Sequence, residues 1–184
     1  MQRLTQVMQC KRGDTLELPK RKNTRLKNFD YSQNGAYFIT ICTQGKPHLF
    51  GNVVGDGFPV PFMQLNEHGK IIEQYMQNIP DKYSAVTVDK YIIMPNHIHM
   101  LMMIFNEGNL GTGNPSPTVG TIVGWFKYQT TKTINAYNNN AGTKIWQRGY
   151  HDHIIRNDAD YLRIWQYIDE NPAKWAEDKY YTEQ

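Results

Sequence analysis

Two histidines, a tyrosine and an asparagine are the residues in this sequence whose types and spacing could do chemistry. In Met94-Pro-Asn-His97-Ile-His99-Met100 the histidines stand two apart at the head of an apolar run, Met100-Leu-Met-Met-Ile104. Alternate residues of a strand point to the same face. On a strand, His97 and His99 are therefore neighbours, and each can give one ring nitrogen to a single divalent ion. The alternative is a pair of structural histidines, each satisfied by hydrogen bonds. The second group lies in Asp158-Ala-Asp-Tyr-Leu-Arg-Ile-Trp-Gln-Tyr167-Ile-Asp-Glu-Asn171. Tyr161, Ile164, Trp165 and Ile168 form an apolar helical stripe at i, i+3, i+4 and i+7. Tyr167 lies at the edge of that stripe, and Asn171 lies one turn below it. A phenol can attack phosphorus when a metal polarises the phosphate, and a nearby amide oxygen can complete the metal's shell. The alternative is an amphipathic tyrosine at the core margin. Pro172 also disfavours α geometry at Asn171.

The elements that must position these residues follow from periodicity and punctuation. Tyr37–Thr43 is β-branched and aromatic and reads as a strand. Leu65–Ile79 reads as a helix that Pro80 stops. Val86–Met94 and His97–Ile104 read as two strands joined by a tight turn at Pro95-Asn96. A Gly, Asn, Ser and Pro-rich loop at 106–117 precedes a helix over Thr118–Tyr137. Lys144–Arg156 supplies a fourth strand, and Asp158–Asn171 a third helix ending before Pro172. The expected fold is α+β: a ferredoxin-like split βαβ, in the order β-α-β-β-α-β, with an antiparallel sheet and an added C-terminal helix. Many unrelated activities use this plan, so it does not by itself specify a function.

The motifs together do. The sequence resembles the HUH superfamily of single-strand DNA nucleases, and within it the single-tyrosine transposases and their REP-associated branch. The resemblance is carried by Asp30-Tyr31-Ser32 with Tyr37-Phe-Ile-Thr40, by Tyr91-Ile-Ile-Met-Pro-Asn-His-Ile-His99, by Trp146 to Arg156, and by Tyr167-Ile-Asp-Glu-Asn-Pro172. These segments span roughly residues 20–175 in the family's order. The resemblance implies that His97 and His99 bind metal, that Tyr167 is the nucleophile and that Asn171 gives a third ligand. It implies Mg²⁺ or Mn²⁺ as cofactor and single-stranded DNA hairpins as partners. Cutting would leave a 5′-phosphotyrosine and a free 3′-hydroxyl, so the strand could be rejoined elsewhere. Some members pair one chain's tyrosine with another's histidines in a dimer; the Tyr-Ile-x-x-Asn-Pro segment points instead to the branch that can work as a monomer. A bacterial, cytoplasmic, nucleoid-associated protein is the implied setting.

Competing assignments remain open at this level. Tyr128, in Trp125-Phe-Lys-Tyr-Gln, is a rival nucleophile. His151-Asp-His153 is a second H-x-H pair and, joined to the first, would make a four-histidine, water-using metal hydrolase. Lys127, Arg148, Tyr150, His151, His153 and Arg156 are candidate DNA contacts, since arginines and aromatics serve single strands well. A non-catalytic single-strand binder could stack bases on Tyr37 and Phe38. However, the third strand offers histidines instead of the aromatic pattern of such modules.

Composition limits the remaining classes. The net charge of +3 over 184 residues is only mildly basic, but its distribution is uneven. Residues 1–28, with Arg21 and Arg25 among their basic residues, form a basic arm suited to phosphate, ahead of a domain over 29–184. No apolar run approaches a membrane span. Two distant cysteines, Cys10 and Cys42, point to neither a disulfide framework nor a zinc cluster.

Overall fold

The computed structural model describes residues 29–55, 59–105 and 117–183. The basic arm, with Arg21 and Arg25, lies outside the described residues, as does most of the Gly/Asn-rich loop. Within them, β1 (Gly35–Cys42), β4 (Val86–Ile93), β5 (His97–Ile104) and β6 (His151–Ile155) form one sheet. Its order is β4-β5-β1-β6, with every neighbouring pair antiparallel. Placing β5 between β1 and β4 is the split βαβ arrangement that the element order predicts.

The central strands β1 and β5 are buried on both faces, so their side chains sort by parity. Tyr37, Ile39, Ile41, Ile98, Met100 and Met102 face α1 (Glu67–Gln77) and α3 (Val119–Tyr137), and join Ile72, Met76, Ile122 and Phe126 in the larger core. The opposite face carries Leu101 and Phe38, and packs against Ile164 and Ile168 of α4 (Asp158–Glu170). Both long helices before α4, and α4 itself, begin on side-chain caps: Asn66, Thr118 and Asn157 each accept a backbone N–H from the first turn.

Several expectations need correction. A short hairpin, β2 (Gly51–Val54) with β3 (Phe62–Leu65), precedes α1; four-residue strands with mixed exposure leave little periodic signal. Pro80 does not stop the helix. α1 ends at Gln77, and Pro80 sits in the first turn of α2 (Ile79–Lys82), where its missing N–H is not needed. The fourth strand is shorter than Lys144–Arg156. Upstream of His151 only an isolated Thr43–Trp146 bridge forms, and Lys127 Nζ donates to the carbonyls of Gln147 (2.5 Å), Arg148 (3.2 Å) and Gly149 (3.2 Å). These carbonyls are satisfied by a lysine and not by a ladder. Finally, Asn171 does adopt α geometry, at φ −57° and ψ −42°, despite Pro172. Its buried side-chain contacts, described next, outweigh that local bias.

Candidate metal centre and nucleophile

β5 places His97 and His99 on the α4 side of the sheet, 0% and 1% exposed. Their Nε2 atoms stand 3.0 Å apart. Each Nδ1 has its own partner: Asn96 Oδ1 at 3.0 Å from His97, and Thr40 Oγ1 at 2.8 Å from His99. Thr40 is the residue opposite His99 in the β1–β5 register, so the pairing follows from the sheet itself. Burial pushes both imidazoles well below their ordinary pKa, and for His99 the neighbouring His97 adds to the effect. Two neutral rings sharing one point are suited to ligation.

α4 delivers the nucleophile candidate. Ile164 and Ile168 bury its inner stripe, which sets Tyr167 on the flank next to the histidines. Its hydroxyl lies 3.3 Å from His99 Nε2 and donates to Asp178 Oδ2 at 3.3 Å. Phe38 packs against both, stacked on His99 at 5.1 Å and edge-on to Tyr167 at 5.9 Å. Burial first, then the Asp178 carboxylate, raises the phenol's pKa far above its usual value. The phenol therefore rests protonated.

Asp178 is the residue that sequence reasoning missed. After Pro172 the chain makes a 3-10 turn at Trp175–Glu177 and folds back over the histidines. Asp178 Oδ2 accepts from Asn171 Nδ2 at 3.0 Å, and Oδ1 accepts from the Tyr180 backbone N–H at 2.6 Å. The Tyr180 ring sits against His97 at 4.6 Å, and the ring of Trp175 lies 5.9 Å from it. Among the described residues, one group of His, Cys, Asp or Glu atoms could hold a metal ion: His97, His99 and Asp178, whose ligand atoms lie within 4.8 Å of one another. Asn171, 2% exposed, could offer a fourth ligand atom, because its Oδ1 is buried without a hydrogen-bond partner. Two imidazoles, a carboxylate and an orphaned amide oxygen suit a divalent cation. No spacing rule links Asp178 to the histidines; an acidic residue shortly after the Asn-Pro segment is the only sequence cue.

The other candidates are dispersed over the molecule. His153 borders the cleft of about 460 Å³ beside Tyr167, together with Phe38, Arg163, Asn171 and Lys174. Its Nε2 is paired with Asp160 Oδ2 at 2.7 Å. His151 lies opposite Thr40 on β1, exposed. Neither belongs to the metal-capable group, so the two H-x-H pairs do not build a four-histidine site. Arg148 borders a separate groove with Lys127 and Trp146, Arg156 borders one with Tyr31 and Asn157, and Tyr150 packs on the larger core. Tyr128 is 64% exposed on α3, on the face of the sheet away from the histidines, which removes it as a rival nucleophile. Tyr37, 1% exposed in the larger core, offers no ring to a base.

A ferredoxin-like antiparallel sheet with paired histidines on a central strand, and a tyrosine on an added helix, defines the class of domain. Residues 63–171, more than half of the chain, match the family described as Transposase IS200 like, and the chain belongs to that family. It is 36% identical over 176 residues to a Haemophilus influenzae protein of no assigned function, covering 89% of this chain and 94% of that one. A second Haemophilus influenzae protein, provisionally named a REP-associated tyrosine transposase, is 27% identical over 149 residues, covering 79% of this chain and 74% of that one. The fold is shared with a solved REP-associated tyrosine transposase bound to a REP hairpin, at a TM-score of 0.53 and 17% identity, covering 84% of this chain and 76% of that one.

Proposed function

We propose that this protein is a metal-dependent nickase and strand transferase of the HUH type, acting on single-stranded DNA next to short hairpins. The observation that carries the reading is the position of the Tyr167 hydroxyl, 3.3 Å from His99 Nε2 and 3.3 Å from Asp178. The nucleophile candidate thus stands on the group of side chains that could hold a metal. His97, His99, Asp178 and the Asn171 carbonyl would hold Mg²⁺ or Mn²⁺. When bound, the ion acts as a Lewis acid on the scissile phosphate and its leaving oxygen.

The chain's own residues do the rest. Tyr167 Oη forms a bond to phosphorus as the bond from phosphorus to the 3′-oxygen breaks. The phenolic proton has Asp178 Oδ2 as its acceptor, and the 3′-oxygen leaves as a hydroxyl after taking a proton from solvent. The product is a 5′-phosphotyrosine with a free 3′-hydroxyl. Attack by a 3′-hydroxyl on that ester reverses the step and rejoins DNA, with no net change in phosphate ester bonds. Phe38, against His99 and Tyr167, limits the motion of both rings. Since one chain brings tyrosine and histidines together, a monomer with its active site in cis is the form this reading favours. The hairpin preference is taken from the relative solved with a REP hairpin. The basic arm over 1–28 and the cations bordering the cleft, Arg163 and Lys174, are the proposed phosphate contacts. No helix among the described residues is long and apolar enough to cross a membrane.

The test uses single-stranded hairpin oligonucleotides drawn from the gene's own flanks, incubated with Mn²⁺ or with EDTA and run on a denaturing gel. An SDS-resistant protein–DNA adduct that needs Mn²⁺ and is lost in Tyr167→Phe is expected. Metal-dependent cutting without an adduct would support a water-using hydrolase, and EDTA-indifferent binding without cutting would support a binding module.

A further inference from the structure

We propose that Asn96 is a positioning residue: its one amide fixes the tautomer of His97 and at the same time holds the C-terminal tail that carries Asp178. The inference rests on the proposed metal role of His97 and Asp178. Asn96 lies in the tight turn between β4 and β5, and its side chain is 0% exposed. Asparagine is common in turns because it tolerates positive φ. That reason does not apply here, since among the described non-glycine residues only Lys46 and Asn139 have positive φ. The backbone does not require an asparagine, so the side chain must account for it.

Both ends of that side chain are engaged. Asn96 Nδ2 donates to Tyr180 O at 2.9 Å, to Lys46 O at 3.2 Å and to Thr182 Oγ1 at 3.3 Å. Two of these acceptors are carbonyls, which fixes the nitrogen on that side of the amide and the oxygen on the other. The oxygen lies 3.0 Å from His97 Nδ1 and can only accept. His97 therefore carries its proton on Nδ1 and turns a bare Nε2 toward His99 and Asp178. This is the arrangement in which an outer hydrogen bond orients a metal-binding imidazole.

The same amide reaches the other side of the site. Tyr180 is held at both ends, its C=O by Asn96 Nδ2 and its N–H by Asp178 Oδ1. Asp178 in turn meets Asn171 and Tyr167. Asn96 thus sets one ligand directly and a second through the tail. Losing it should misorient His97 and loosen Asp178 together.

The experiment compares the full-length protein with Asn96→Ala and Asn96→Asp at pH 8. Three readouts are taken: ¹⁵N NMR of the histidine rings without metal, hydrogen exchange of the tail amides over 178–182, and Mn²⁺ titration calorimetry. The wild-type protein should show His97 protonated on Nδ1 alone. Asn96→Ala should lose that single tautomer, exchange its tail faster and bind Mn²⁺ about 10- to 100-fold more weakly. Asn96→Asp keeps an acceptor toward His97 but sets an oxygen against the Tyr180 and Lys46 carbonyls. It should retain the tautomer and still release the tail. A folded Asn96→Ala with an unchanged tautomer and Mn²⁺ affinity within about twofold of wild type would overturn the proposal, as would a wild-type His97 protonated on Nε2. Should Asn96→Ala not fold, Asn96→Asp decides: a tail that exchanges as slowly as in wild type overturns the coupling. A wild-type protein with the expected tautomer and tail protection but no Mn²⁺ binding would sink the metal reading and leave the positioning role standing.

Discussion

Replacing Asp178 by alanine separates its structural contribution from its contribution to a metal site. Its carboxylate accepts from Asn171 Nδ2 at 3.0 Å, from the Tyr180 N–H at 2.6 Å and, at 3.3 Å, from the Tyr167 hydroxyl. Asn171 already has an unpartnered Oδ1, and in Asp178→Ala its buried Nδ2 would lose its partner as well. A buried polar group left unsatisfied costs about 1–3 kcal/mol. Releasing a half-buried carboxylate from desolvation offsets part of the lost charged hydrogen bonds. The net loss in EDTA should be about 2–3 kcal/mol, or roughly 4–12 °C in Tm for a domain of this size. Added metal then distinguishes the two roles. At a hundred times Kd the ion stabilises the wild-type protein by about 2.7 kcal/mol. If Asp178 is a ligand and its loss weakens binding about a hundredfold, the variant gains only about 0.4 kcal/mol at the same concentration. Urea denaturation of both proteins, with EDTA and with Mn²⁺, should show a gap of about 2–3 kcal/mol widening to about 5. An equal Mn²⁺-induced gain in the two proteins would refute Asp178 as a ligand, whatever the gap in EDTA.

Three further outcomes are expected. The histidines make the metal-free protein acid-sensitive in a defined window. His97, lowered to about 4, and His99, lowered further by burial, stay neutral in the folded state while the unfolded chain takes up protons below its ordinary histidine pKa. Nothing changes above about pH 6.5; below it, stability should fall by up to about 1.4 kcal/mol per pH unit for each histidine, toward pH 4. Denaturation in EDTA across this range should be steeper for wild type than for His97→Gln/His99→Gln, and identical slopes would contradict the assignment. Lys127→Met should cost about 1–2 kcal/mol by leaving the Gln147–Gly149 carbonyls without their donor, and should leave the salt dependence of hairpin binding unchanged. A salt slope smaller by about one would instead put Lys127 on a phosphate. Deleting residues 1–28 should weaken hairpin binding and flatten its salt slope; an unaltered slope would leave the basic arm no part in DNA contact.

The parts of this protein that the sequence reveals are those with a strong period. Alternation in β5 put His97 and His99 on one face, and the i, i+3, i+4, i+7 stripe of α4 set Tyr167 and Asn171 on the flank beside them. The strand order followed from the element order through the split βαβ rule. Three things were not legible. Asp178 sits in an aperiodic tail, and only the fold-back that seats Tyr180 on His97 brings it to the site. Lys127 looks like an exposed helical lysine until the 147–149 segment folds across its ammonium. Tyr128 could be set aside only once α3 was seen on the far face of the sheet, a fact about layers that local spacing does not hold.

The central claim is that Tyr167 becomes covalently joined to DNA, and mass spectrometry of the adduct tests it most directly. The protein would be reacted with a hairpin oligonucleotide in Mn²⁺, then digested with trypsin and a nuclease. The peptide holding Tyr167 should carry the mass of a 5′-phosphonucleotide, with fragmentation placing it on that phenol, and no such peptide should form in EDTA. A nucleotide found on Tyr128 or any other residue, or cleaved DNA with every tyrosine unmodified, would contradict the account.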